Sequence, residues 1–176
     1  VGFGKKEEVL ELNDIDYSKV GNFGGVSFKY ESSSFTKNIK DKKYKVKITY
    51  LDKLTEIKKC NFVKIDVELM ELDVLTGGIN FLKKFRPILW IENHQKYPNK
   101  INKFLLKNDY NPYWVYSKAF NESNYFLNDI NYYGELATLN TLAIPKEDYR
   151  FSMDKKFDKI IDSYTKPITL LGKQIK

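Results

Sequence analysis

The 176-residue chain has one cysteine and one histidine. The lone cysteine, Cys60, excludes an internal disulfide and fits a reducing, cytoplasmic setting. It sits at the entry to an apolar stretch, where it reads as a core residue rather than a nucleophile. The lone histidine is His94, and an unperturbed imidazole, with a pKa of about 6.5, suits a general base near neutrality. No apolar run approaches the length of a membrane span. The opening Val1-Gly-Phe-Gly-Lys-Lys-Glu-Glu lacks the basic and apolar regions of a signal peptide, and its valine start fits an excised piece of a longer protein. Repeats, heptads and low-complexity linkers are also missing.

What is present is globular. Hydrophobic residues make up 42% of the chain and aromatics 15%, which argues against disorder. The length suits a single domain over residues 1–176, with a β-rich segment at 1–59, a β-α-β core at 60–150 and a C-terminal helix and tail at 151–176. The net charge is +7, but the lysines are spread along the chain. The densest basic run, Asp41-Lys-Lys-Tyr-Lys-Val-Lys, alternates lysine with Tyr44, Val46 and Ile48, as in a strand with one solvated face. The charge pattern therefore argues against a nucleic-acid partner.

Alternation predicts strands at Glu8–Leu12, Gly25–Tyr30 and Tyr44–Tyr50, with a glycine break at 21–25 and a serine loop at 32–34. Asp52 is placed to cap a short turn ahead of Cys60. From Cys60 to Val67 a continuous apolar strand is expected. A helix then carries Leu72, Leu75, Ile79 and Leu82, weakened by Gly77 and Gly78, which would allow close packing on a sheet. Arg86-Pro87 ends it. A strand at Ile88–Ile91 follows, then a helix opened by Pro98 and closed near Asn108. Strands are expected at Tyr113–Tyr116 and Leu139–Ile144, separated by an aromatic, asparagine-rich connection over 118–137 that could serve as a lid or acceptor loop. Phe157, Ile160, Ile161 and Tyr164 have the spacing of a final amphipathic helix.

The most informative block is 63–92, with two apolar runs that both end in carboxylates: Asp66 with Glu68, and Glu92. In open α/β sheets ligands bind beyond the carboxyl ends of the strands. By the same residues, a carboxylate ending a buried strand can equally cap a helix or pair with lysine. Glu71 reads as first-turn charge at a helix N-terminus. Asn22, next to Gly21, fits either a ligand contact or a left-handed turn.

This block, Val63-Lys-Ile-Asp-Val-Glu-Leu-Met-Glu-Leu-Asp-Val-Leu with Arg86-Pro-Ile-Leu-Trp-Ile-Glu-Asn-His, resembles the FkbM-type methyltransferases. Their hallmark is K-I-D-V-E-G-x-E-x-x-L-x-G followed by R-P-x-x-x-x-E. Upstream, Gly21-Asn-Phe-Gly-Gly-Val-Ser-Phe and Thr49-Tyr-Leu-Asp-Lys-Leu resemble two further family segments, and Asn140-Thr-Leu-Ala-Ile-Pro resembles a closing strand. The resemblance runs from about residue 2 to 145.

It implies part of a Rossmann-like class I methyltransferase fold: an α/β, mostly parallel sheet flanked by helices. It implies S-adenosyl-L-methionine as cofactor and a hydroxyl on a sugar, lipid or related small molecule as methyl acceptor. His94, Asp66 and Glu68 become the expected catalytic residues, and Glu92, Asn93 and Asn22 the expected acceptor contacts. A divalent metal on Asp66 and Glu92 is compatible with the oxygen ligands but not required. Two departures stand out. Leu69 occupies the usual glycine position. The glycine-rich cofactor loop and its acidic strand are expected upstream of residue 1. A non-catalytic, methyltransferase-like interaction or glycan-binding module is therefore the alternative.

Overall fold

A computed structural model of the chain describes residues 1–18, 39–93, 98–150 and 157–167. The expected strand at Gly25–Tyr30, the glycine break and serine loop around it, Asn22 and His94 lie outside the described residues. The chain divides into two compact units, Val1–Pro87 and Ile88–Lys176.

In the first unit a three-stranded sheet is ordered β1-β3-β2, from β1 (Gly2–Phe3), β2 (Glu8–Ile15) and β3 (Ile39–Thr49). β1 runs parallel and β2 antiparallel to β3. The alternation expected for β2 is present, with Leu10 and Leu12 inward and Val9, Glu11 and Asn13 outward. β3 begins earlier than its apolar pattern suggests. Its inward row deepens along the strand, from exposed Tyr44 to buried Ile48.

A 3-10 turn at Leu51–Lys53 follows. Asp52 is indeed a cap, but not of a turn before Cys60. Its carboxylate accepts the backbone N–H of Asn80 at 3.2 Å and of Phe81 at 2.7 Å, and so closes the start of α2 (Ile79–Phe85). The next strand, β4 (Phe62–Ile65), is shorter than the expected 60–67 run. Phe62 is exposed and only Ile65 is buried, so β4 is not covered along its length. Cys60 is likewise half-buried, with Sγ 3.5 Å from the Phe62 carbonyl oxygen, rather than a core residue.

The helix expected from Met70 to Leu82 is two helices, α1 (Glu71–Thr76) and α2, broken at Gly77–Gly78. A Cβ on Gly77 would overlap the Gly4 carbonyl oxygen and lie 2.9 Å from that of Lys5. One on Gly78 would lie 2.8 Å from a Leu51 methyl carbon. Close packing is thus what the glycines permit, against the β1 exit and the 3-10 turn. Arg86 ends α2 in the left-handed region at φ 47°, with its N–H on the Leu82 carbonyl. Ile48, Leu51, Ile65, Met70, Val74, Leu75, Phe81 and Leu82 form this unit's core.

In the second unit the strands are β5 (Ile88–Glu92), β6 (Tyr110–Lys118), β7 (Ala137–Pro145) and β8 (Asp158–Lys159), ordered β5-β7-β6-β8. α3 (Lys100–Lys107) connects β5 to β6. It starts after Pro98, with Asn99 as N-cap accepting from the Asn102 N–H at 2.9 Å. β7 is antiparallel to both β5 and β6. Two strands antiparallel to one neighbour share a direction, so β5-α3-β6 is a parallel crossover with β7 inserted between its strands. The expectation of a mostly parallel sheet is corrected here: the fold is α/β with mixed sheets. The cause is the 119–136 connection. It has turns but no helix, so β7 returns as the antiparallel arm of a long hairpin.

The expected C-terminal helix is also corrected over 157–167. Asp158–Lys159 pairs antiparallel with β6 as an edge strand. Ile160 is buried while Ile161 and Tyr164 are exposed, so these three do not share one apolar face. Asp162 then accepts from the Tyr164 N–H at 2.8 Å and the Thr165 hydroxyl at 2.9 Å, a local turn that competes with helix. Trp114 Nε1 donates to the Thr165 carbonyl at 3.0 Å and ties the turn to β6.

Candidate functional site

The first group of candidate residues is on the turn from β4 into α1. Asp66 follows the last residue of β4, and its carboxylate, partly open to solvent, pairs with Lys64 at 2.9 Å. Glu68 and Leu69 both lie in the left-handed region, at φ 45° and 74°. The position where the resemblance expects glycine is therefore a left-handed one, and leucine occupies it against a cost of about 1–2 kcal/mol.

Glu71 holds this turn. It is buried, and its Oε1 accepts the backbone N–H of Val67 at 3.3 Å and of Leu69 at 3.2 Å. First-turn helix charge describes only part of its role. The carboxylate also supplies the acceptor for two backbone groups that neither β4 nor α1 can satisfy. The cue in the sequence was a glutamate three residues after Glu68, at the start of an apolar period. Asp66 and Glu68 thus project from one turn whose shape Glu71 sets.

The second group lies at the carboxyl end of β5. Glu92 is half-buried and opposite Asn140 of β7. Because β5 and β6 share a direction, Glu92 sits at the sheet edge where both of these strands end. Asn93 is completely enclosed. Its N–H donates to the Leu139 carbonyl at 3.1 Å, its Nδ2 to Asn102 Oδ1 at 2.9 Å and to Thr141 Oγ1 at 2.7 Å, and its Oδ1 accepts from Asn99 Nδ2 at 2.8 Å. Every polar atom of that side chain is engaged inside the unit. Asn93 therefore joins the end of β5, the N-cap of α3 and β7, and acts by bracing the strand end that carries Glu92. Asn102 Nδ2 is buried in the same cluster without a protein acceptor.

Asn99, Asn102 and Thr141 were not singled out in the sequence. Asn99 carried a cue, an asparagine directly before a helical apolar period. The amides of Asn102 and the hydroxyl of Thr141 gain meaning only when three elements meet, which no local pattern encodes. Among the described glycines, Gly4 makes room for Ile48, and Gly77 and Gly78 pack as above. These three serve packing.

The family model described as the methyltransferase FkbM domain matches residues 5–112. That span contains β2 to β5, both short helices, the Asp66–Glu71 turn, Glu92, Asn93 and α3. Comparison with curated proteins and with solved structures yields no match.

Proposed function

From the premise that this chain belongs to the FkbM methyltransferase domain family, we propose that it acts in S-adenosylmethionine-dependent methylation of a hydroxyl on a sugar, lipid or related small-molecule acceptor. The observation that carries this reading is the turn after β4. The family's acidic residues Asp66 and Glu68 stand on it, and a buried carboxylate, Glu71, fixes its backbone. A Rossmann-like class I architecture is part of the proposal, supported by the β5-α3-β6 crossover with its carboxyl ends on one edge.

The cofactor would bring a methyl group on a sulfonium. What this chain contributes is on the acceptor side. An alcohol oxygen attacking a methyl carbon must be held in line and must lose its proton. His94 is assigned that proton. Asp66, open to solvent on one side, is assigned to orient the hydroxyl, with Glu68 beside it on the turn. Glu92 contacts the acceptor from the end of β5, with Asn93 as its brace, and Asn22 is retained as an acceptor contact. A divalent cation, if used, would take oxygen ligands from Asp66 and Glu92. The half-buried free thiol of Cys60 suits a reducing compartment. Among the described residues no helix is long and apolar enough to cross a membrane.

The test is transfer of a labelled methyl group by the full-length protein to a panel of sugar and lipid alcohols. Asp66→Asn and His94→Ala should each lower turnover at least tenfold while S-adenosylhomocysteine affinity stays within twofold. Normal turnover in either variant removes that residue's role. A second reading, a non-catalytic module, draws on Leu69, which keeps a left-handed backbone without the glycine that would relax it. Cofactor binding without transfer to any alcohol would favour that reading.

A further inference from the structure

No lysine or arginine lies between Lys118 and Lys146, so all 30 basic residues of the chain fall outside this interval, which holds three acids, Glu122, Asp129 and Glu135. It is also where the molecule shows its rings to water. Tyr125 is 93% exposed, Phe126 86%, Leu127 84% and Tyr132 77%, and Ile130, Tyr133 and Leu136 are each more than half exposed. A large aromatic side chain buries about 150–250 Å² when covered. The connection as a whole therefore offers more apolar surface than the few hundred Å² of an ordinary surface patch.

The exposure is built into the loop. Ala119 donates to the Leu136 carbonyl at 2.9 Å and closes its root. All four asparagines then satisfy the loop's own backbone. Asn121 Oδ1 accepts from Ser123, Asn124 Nδ2 donates to the Asn121 and Asn128 carbonyls, and Asn128 Oδ1 accepts from Ile130. Asn131 takes the Tyr133 N–H and donates to the Gly134 carbonyl. Tyr125 and Phe126 stack edge to face with centroids 5.3 Å apart. Chain that is tied down this thoroughly does not need its rings outside for its own fold. The loop also lies beyond the family match, which ends at residue 112.

We propose that the 119–136 loop is a docking surface for a lysine- and arginine-rich segment of a partner protein. Aromatic faces attract cations through the ring quadrupole, and guanidinium groups stack on them. Glu122, Asp129 and Glu135 add exposed carboxylates with no competing base in the loop. The same charges repel the phosphates of nucleic acids and of anionic bilayers. A neutral sugar would gain nothing from the three carboxylates' charge, and the Nδ2 donors of Asn124 and Asn131 are already engaged within the loop. This inference stands independently of methyl transfer.

The probe is a fluorescent peptide of four Arg-Ser-Gly repeats, with citrulline replacing arginine in its control, followed by anisotropy at low ionic strength. The chain carries +7 overall, so bulk charge opposes the peptide and a signal reports a local site. The arginine peptide should bind, weaken as salt rises, and lose at least tenfold in affinity for Tyr125→Ser/Phe126→Ser/Tyr132→Ser. The same loss is expected for Glu122→Gln/Asp129→Asn/Glu135→Gln, which preserves side-chain volume, and for the citrulline peptide. Absent binding, equal binding of the citrulline peptide, or unchanged affinity in either triple variant overturns the proposal. So does loop-dependent binding of phosphatidylcholine vesicles or of maltoheptaose in place of the arginine peptide.

Discussion

The buried carboxylate of Glu71 accepts the backbone N–H of Leu69 at 3.2 Å, reaching back across the start of its own helix to the turn that precedes it. The same oxygen takes the Val67 N–H. Removing it with Glu71→Ala strands two donors in a partly enclosed turn and should cost about 1–3 kcal/mol. Glu71→Gln keeps an acceptor oxygen and should cost about 1 kcal/mol or less. Urea midpoints of the two variants, compared at equal slope, check the difference. Equal losses would mean that the contact contributes nothing specific.

Leu69 itself is the second test. At φ 74° a side chain with a Cβ is held against about 1–2 kcal/mol of backbone strain. Glycine would relieve that strain but lose up to about 1 kcal/mol through the freer unfolded chain. Leu69→Gly should therefore be neutral to stabilising by about 0.5 kcal/mol. A thermal midpoint that falls by several degrees would show that the leucine side chain, not the backbone, decides this position.

Gly77 separates packing from backbone preference. Gly77 caps α1 at φ −74°, a backbone that alanine adopts freely, so conformational preference alone predicts that Gly77→Ala stabilises by about 0.4–1 kcal/mol. The backbone of Gly4 and Lys5 stands where the methyl group would go. Gly77→Ala should destabilise by roughly 2 kcal/mol or more, as overpacking does. Gly78→Ala meets only the Leu51 side chain and should cost less. Chemical denaturation of both variants tests the order.

These positions also show what the sequence could reveal. The change to a helical period near residue 70 was legible, and so was the order of β2, β3, β4, the helical stretch, β5, α3, β6 and β7, because each is a local pattern, whereas the two-residue β1 gave no such signal. The special backbone at Leu69 was visible through the resemblance. Where the two glycines would break the helix depended on Gly4, some 70 residues away, and no window sees that. The buried amides of Asn93, Asn99 and Asn102 gave no signal as a group, since hydrogen-bond saturation belongs to the assembled unit. The last apolar residues misled for a related reason. Ile160 and Ile161 fit a helical face, but pairing with β6 buries one and exposes the other.

Acid should release the closing turn only below the ordinary carboxylate range. The Tyr164 N–H, and after it the Thr165 hydroxyl, hold the Asp162 carboxyl below its ordinary value of 3.8. A lowered folded value means that this stabilisation is complete above the ordinary carboxylate range and is lost as pH falls through the folded value. The turn should hold at pH 5 and release below 3.8. The indole N–H resonance of Trp114, bonded to the Thr165 carbonyl, reports the release. An indole signal that shifts above pH 5 would contradict the assignment.

Calorimetry of the full-length protein with S-adenosylhomocysteine is the decisive measurement for the proposal that a methyltransferase site is completed around Asp66 and its turn. That ligand needs no knowledge of the acceptor. Saturable, one-to-one binding that survives Asp66→Asn is the expected result. Absence of binding to the full-length wild type would contradict it.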